Sequence, residues 1–447
     1  MAAGGKWIIQ NKRRPGPYIN FVAKSKPLGV MSTRGVVAVA LPMTWGPTGE
    51  LIELYGSDLL DGKSLAKVGC TVYDTQASLP FRTALAGCYK ALLYRANING
   101  IKASGTLEDS FNVTAKYEGS TGNNLAITVD SGADGVFNVN VLFNGVTKET
   151  FTVTTLAGLE DIESDFVEFE AIEGGTLKAT SGVTLAGGTN GELTSDYTEF
   201  FNLIKNESWQ CMAIQSDDTA LVNIIATNIT HLRDNTDKKV QAVVYAETPT
   251  DHEGIICVNQ GFVAGEDTVG TNLFPVWVAS ITAGANINES NTGRVVPNAT
   301  KIINALDDNE IEDALAEGRF VLSYRQDGAV IVEQDINSLH TFTTEKPYSF
   351  SKNRVIRCLD AIATNSSYIF NVYFKGKVDN NSIGRNLYKS HIIKMMEDLQ
   401  AMNAVQNFEG PTDVDVLPGE QVDSVVVGLY AQPVDSMEKM YMTVTVG

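Results

Sequence analysis

Four histidines are the first residues to test for chemistry, because imidazole titrates near neutrality and ligates metals. They are His231, His252, His340 and His391, and no two fall at ligand spacing on one helix. His252-Glu253 places a base beside a carboxylate, behind the turn-forming Pro249-Thr250-Asp251. It reads as a solvated loop pair, with a general-base pair as the alternative. His340 sits in the alternating run Leu339-His340-Thr341-Phe342 and reads as packed, not catalytic. Asp307-Asp308-Asn309-Glu310 is rich in oxygen ligands but lacks the glycine and the twelve-residue spacing of an EF-hand. The simpler reading is the start of a helix, whose N-terminal dipole favours carboxylates. Met395, Met396 and Met402 suit packing better than a soft-metal box. Arg354 and Arg357 share a helix face and read as surface salt bridges.

The remaining signatures of catalysis are absent. The chain has no GxGxxG, GxxxxGK[ST], HExxH or GxSxG motif. Its cysteines, Cys70, Cys88, Cys211, Cys257 and Cys358, are odd in number and scattered, with no CxxC, so they read as buried free thiols. The expectation is a structural protein with no catalytic residue, no metal and no cofactor.

The elements around these residues change character along the chain. Gly35 to Leu41 is a continuous apolar run, as in a strand buried on both faces. Leu79 to Tyr94 reads as a helix, with Leu85, Tyr89 and Leu92 or Leu93 on one side. Residues 101–192 carry fourteen acidic residues against four lysines, with no Arg, His, Cys or Trp. Short alternating runs there (Phe111 to Ala115, Leu125 to Val129, Phe137 to Val141, Phe151 to Thr154) are separated by turn signals such as Asn144-Gly145. This predicts an inserted β domain with an acidic surface. From 196 to 333 helix and strand patterns alternate. Asp196 to Lys205 and Ala220 to Leu232 read as helices, and Trp209 to Ile214, Val240 to Tyr245 and Phe274 to Ile281 as strands. Asn353 to Ser366 and Asn386 to Met402 are predicted helices of a last unit, followed by strands at Val414 to Val416 and Asp423 to Tyr430.

The two ends pose a question of partners. Met440, Met442, Val444 and Val446 alternate with Tyr441, Thr443 and Thr445, a strand pattern at the extreme C-terminus. Its ladder must be completed by the chain's own sheet or by another subunit. Arg14-Pro15-Gly16-Pro17 cannot be helical, and Tyr18 to Val22 then reads as a short edge strand. Residues 1–49 hold seven basic residues and no acidic one, whereas 405–447 hold seven acidic residues and one lysine. Such complementary ends suit contact between neighbouring copies, where charge sets orientation and rate more than affinity.

Composition narrows the classes further. A length of 447 residues suggests two to four domains, and 43% hydrophobic residues suffice for real cores. The net charge of −19 argues against general nucleic-acid binding. No apolar run reaches bilayer-spanning length, and no signal-peptide h-region is present. No direct membrane insertion is expected, and synthesis and folding are expected in the cytoplasm.

The stretches Gly328 to Leu339, Phe350 to Arg357, Gly376 to Asn380 and Gln432 to Val444, with Arg14 to Phe21, resemble contractile phage tail sheath proteins of the type encoded by prophages of Gram-positive bacteria. The resemblance covers both ends and about the last 120 residues, and is much weaker over 101–192. It implies an α+β multidomain chain: an α/β core (35–100 and 193–333), an inserted acidic all-β domain (101–192), and a C-terminal α+β domain (334–436). Strand-donating arms would lie at 1–34 and 437–447. It further implies a homo-oligomer of six-fold rings wound helically around a tail tube protein, bounded by baseplate and tail terminator, in the virion tail sheath after assembly in host cytoplasm. Pro17, Tyr18, Ile19, Asn20, Phe21 and Val22 would form the N-arm strand. Met440, Tyr441, Met442, Thr443, Val444, Thr445 and Val446 would form the C-arm strand. Asp423, Val425, Val426 and Val427 would lie in the acceptor sheet, and Arg385, Lys389 and Lys394 on a tube-facing helix. A static strand-swapping surface or capsid-like protein, and a cytoplasmic α/β enzyme, are the alternatives.

Overall fold

Short runs that are apolar throughout must bury both faces, and here they assemble into one sheet. In the computed structural model of the chain, which describes residues 34–107 and 109–446, six strands order as Ile255–Val258, Gln241–Tyr245, Cys211–Ile214, Val36–Leu41, Lys90–Arg95 and Leu51–Tyr55. The first five run parallel and Leu51–Tyr55 pairs antiparallel at the edge. Side-chain alternation divides the central strand between two cores. Val37, Val39 and Leu41 pack with helices Thr75–Ala84 and Phe274–Gly284, while Val36, Ala38 and Ala40 pack with Thr198–Ile204 and Ala220–Asn235. The N-arm positions 17–22 lie outside the described residues.

Two predicted elements of this core differ. The helix expected over Leu79 to Tyr94 ends at Ala84, and Lys90–Arg95 is a buried strand. Leu92 and Leu93 are both inside because they face opposite cores, which a helical face cannot explain. The strand expected at Phe274 to Ile281 is helix Phe274–Gly284, with every residue from Phe274 to Ala283 buried. A helix that is apolar all round carries no 3.6-residue signal, so it cannot be told from a buried strand by pattern.

Residues 102–184 form a β-sandwich. One sheet orders Val167–Ala171, Phe111–Glu118 and Lys102–Leu107, and the other Thr180–Thr184, Leu125–Ser131, Phe137–Phe143 and Val146–Val153. Phe111, Val113 and Ala115 point inward against Leu125, Ile127 and Val129 in a core of its own. The predicted turn Asn144-Gly145 joins two strands with both residues at positive φ, 49° and 77°, the geometry that favours this residue pair.

By its contacts the described chain divides into two compact units, Asn365–Gln432 and the rest. The smaller unit follows helix Asn353–Ile369 with a π-helical turn Phe370–Phe374 and the helix Ser382–Ala401. Asn381 caps that helix by accepting a hydrogen bond from Gly384 N at 2.9 Å. A hairpin of Val414–Pro418 and Val425–Leu429 completes the unit. The whole is a mixed α+β multidomain fold.

Candidate assembly surfaces

The predicted chemical residues do not converge. Among the described residues no three His, Cys, Asp or Glu side chains cluster as metal ligands, and no disulfide links the five cysteines. Asp307 begins a helix as predicted, accepting from Glu310 N at 2.9 Å while Glu310 accepts from Asp307 N at 2.8 Å. Met395 and Met396 are buried core. His340 is half-buried, its backbone N–H donating to Asp251 Oδ1 at 2.9 Å. The His252-Glu253 pair departs from the solvated loop expected. Glu253 is buried and ion-paired with Lys346 at 2.9 Å, and burial holds the His252 imidazole below its ordinary value.

Arg357 also departs from the surface reading. It and Asp335 each expose 1% of their side chains and pair at 2.7 Å. Asp335 further accepts from Asn291 N and Asn353 Nδ2, both at 2.9 Å. Burial opposes its charge, but the Arg357 guanidinium and these donors outweigh it and hold the carboxyl below its ordinary range. Arg354 on the same helix is half-buried. Helix periodicity places an arginine on a face but does not say whether that face is wet.

This buried knot reaches the C-terminal segment. Thr292 Oγ1 accepts from Asp335 N at 2.9 Å and donates to Glu438 Oε1 at 2.7 Å. Glu438 also accepts from Gln334 Nε2 at 2.7 Å and forms an ion pair with Lys352. Its side chain is 10% exposed and that of Lys352 5%. Burial alone would raise the Glu438 carboxyl, yet Lys352, Gln334 and Thr292 hold it below its ordinary value. Glu438 reads in the sequence as one more acidic tail residue. Only its position just before an uncharged alternating run marks it out.

One residue further on the environment inverts. Lys439 to Val446 are all exposed, with Tyr441 at 92% and Met442 at 70%. Both faces of the predicted strand Met440, Tyr441, Met442, Thr443, Val444, Thr445 and Val446 are bare, and among the described residues it belongs to no sheet. The sequence supplies strand-forming residues, but the chain's own described sheets do not supply the ladder.

The hairpin in the smaller unit has the opposite deficiency. Val414, Val416 and Val425, with Val427 and Leu429, form one row of the pair, and Asp415, Leu417 and Val426 the other. Among the described residues Val425–Leu429 is bonded on one side only, and Val426 and Val427 are exposed. Asp423 lies in the turn before that strand, not in the sheet. Arg385 Nη1 donates to Asn380 Oδ1 at 2.9 Å, Lys389 Nζ to Pro411 O at 3.2 Å, and Lys394 pairs with Asp398. These three bases are therefore largely satisfied within their own unit.

Comparison with known proteins covers the described chain. Residues 98–190 match the phage tail sheath protein beta-sandwich domain, 191–338 the central domain, and 345–447 the C-terminal domain. The phage-like element PBSX protein XkdK of Bacillus subtilis is 30% identical over 463 residues, spanning 98% of both chains. The crystal structure of a sheath tail protein from Desulfitobacterium hafniense superposes with a TM-score of 0.82 at 34% identity, covering 96% of this chain and 99% of that one. The helical sheath of the anti-feeding prophage in its contracted state shares the fold at 11% identity, with a TM-score of 0.56 over 97% of this chain and 99% of that one.

Proposed function

The chain belongs to the phage tail sheath family, and from that premise we propose that it is the polymerising subunit of a contractile sheath. Copies stack as hexameric rings wound around a tail tube, between baseplate and terminator, in a tail assembled in the host cytoplasm. Contraction of that lattice drives the tube through the cell envelope. The observation that carries this reading is the segment Met440–Val446, unpaired among the described residues, which begins directly beyond the ion-paired and largely covered Glu438. A strand without a ladder and a hairpin without a third strand are complementary deficiencies. Copies of one chain satisfy both by strand addition, in which main-chain hydrogen bonds give affinity and alternate side chains give register. Because donor and acceptor are different surfaces, the contact does not close on itself and builds rings or helices.

The free edge of Val425–Leu429 offers about five outward backbone groups, each worth ~0.5–1.5 kcal/mol net when paired. Several kcal/mol per arm suffices to keep neighbours tethered while larger body contacts exchange between two arrangements. The N-terminal residues Pro17–Val22 serve as a second donated strand. The helix carrying Arg385, Lys389 and Lys394 faces the tube, and the acidic sandwich points outward. Negative-stain microscopy of the concentrated full-length chain tests the reading. Helical polymers are expected, and removal of 437–447 is expected to leave a folded monomer. If the full-length and truncated chains both stay monomeric at every concentration, the arm model fails. Tails of a single length before and after triggering would favour a static lattice.

A further inference from the structure

A cleft in the smaller unit lies against the hairpin and is lined in part by Val425, the first residue of its edge strand Val425–Leu429. It encloses about 350 Å³ and is walled by Phe370, Phe374 and Tyr388, with Val416 and Val425 of the hairpin along one side. Its walls are stiff. Phe374 and Tyr388 meet edge to face at 4.9 Å, Phe370 and Tyr388 at 5.8 Å, and Tyr388 Oη donates to Ser366 O at 3.1 Å. Phe374 and Tyr388 are themselves buried, so the cleft does not arise from loose side chains. Its rim balances Asp379 and Asp423 against Lys375 and Arg385, which suits an uncharged occupant.

The hairpin register says what a third strand would do there. Val414, Val416, Val425, Val427 and Leu429 share one face of the hairpin, helix Ser382–Ala401 packs on its strand Val414–Pro418, and Val427 on the edge strand is exposed. A strand added beside Val425–Leu429 extends that face by one column and sets alternate side chains over the cleft. The segment 440–446 offers such a column: its even positions are Met440, Met442, Val444 and Val446, and it carries no charged side chain. At ~3.3 Å per residue it spans ~23 Å, against ~17 Å for the five-residue edge, so it covers the ladder and overhangs it.

Building on the strand-addition reading above, we infer that this cleft is the register lock of the lattice, receiving a side chain from the even-numbered face of the C-terminal segment of a second copy. Backbone pairing alone tolerates a two-residue slip, because a slip of two restores the same face. A side chain seated in a rigid cleft does not.

Alanine substitution at Met440, Met442, Val444 and Val446, one at a time, is set against Thr443→Ala and Thr445→Ala, reading the critical concentration for polymer formation by sedimentation. At least one even-face variant is expected to raise it about tenfold or more, as a buried anchor does, and the threonine variants to leave it unchanged. Val378→Phe, which narrows the cleft from its wall, is expected to block assembly while the monomer melts normally. If all four even-face variants assemble like the parent, yet removal of 437–447 abolishes assembly, the arm is real and the register lock is wrong. If Tyr18→Ala or Phe21→Ala reproduces the Val378→Phe defect and the even-face variants do not, the cleft belongs to the N-terminal segment and the inference is overturned. If removal of 437–447 has no effect, strand addition itself fails.

Discussion

Glu438→Gln separates the fixed part of the C-terminal segment from the free part. The wild-type carboxylate accepts from Thr292 and Gln334 and is ion-paired with Lys352, whose side chain is 5% exposed. Glutamine keeps the shape and can still accept from Thr292, but it leaves the Lys352 ammonium without a counter-ion. Removing one partner of a buried pair costs about 3–5 kcal/mol when the other stays buried. Here residues 433–438 can lift away and rewet Lys352, which caps the loss at about 2–3 kcal/mol. At 1.4 kcal/mol per factor of ten, that is about a 30- to 150-fold increase in opening of the segment. Amide exchange over 434–438 reads the opening directly, and trypsin cleavage after Lys439 should accelerate in parallel. The melting temperature of the rest of the chain should move little. The pH dependence has a defined sign. The folded Glu438 carboxyl is held below its ordinary value, so its contribution is complete above the ordinary carboxylate range and is lost as pH falls through the lower folded value. Wild-type protection should be flat from neutrality down to that range, and the Glu438→Gln variant should show no such acid step. Equal exchange rates in the two proteins at neutral pH would refute the clamp.

Three further outcomes follow from buried groups. Asp335→Asn leaves Arg357, 1% exposed, without its ion partner, and should cost about 3–5 kcal/mol in urea unfolding. Gly119→Ala should destabilise by about 2 kcal/mol or more, because its φ is +127° and a Cβ there would lie 2.0 Å from Thr44 O; a shift in the urea midpoint at constant slope checks it. Burial pushes the thiols of Cys70, Cys211 and Cys358 up to about 12, so the folded chain should resist iodoacetamide labelling at these positions at pH 8 and react there in guanidinium.

What the sequence discloses about this fold follows from how local each signal is. Ala220–Asn235 has a wet face, so its period is written in the chain and its position is predicted closely. The sandwich strands alternate because one side of each meets a core and the other meets water, and their turns carry their own residues, as at Asn144-Gly145. Phe274–Gly284 has no wet face, so the chain records only that it is buried. Arg357 fails for a related reason. A long cationic side chain on a helix is usually solvated, and only the tertiary approach of Asp335 and Asn291 makes the interior site habitable. The hairpin strand Val425–Leu429 is legible, but its cleft is not, because Phe370, Phe374 and Tyr388 come together only when the turn after Ile369 folds back on helix Ser382–Ala401.

The C-terminal segment places opposite demands on adjacent residues. A tether that holds a lattice together must be fixed at its root, or tension peels it from its own subunit. It must be unpaired at its tip, or no neighbour can receive it. If the segment is donated as proposed, an apolar root would have to compete with the apolar face of that strand, since either could bury the other. Glu438 avoids that competition, because a carboxylate seated on Lys352, Gln334 and Thr292 is specific to one pocket. From Lys439 onward nothing in the described chain claims the strand. Moving the buried carboxylate two residues toward the C-terminus should therefore shorten the usable strand by one inward position and weaken assembly, while leaving the folded body intact. Sedimentation of a Glu438→Gln/Met440→Glu variant beside the Glu438→Gln parent measures that loss, and equal assembly of the two would show that the root's position is immaterial.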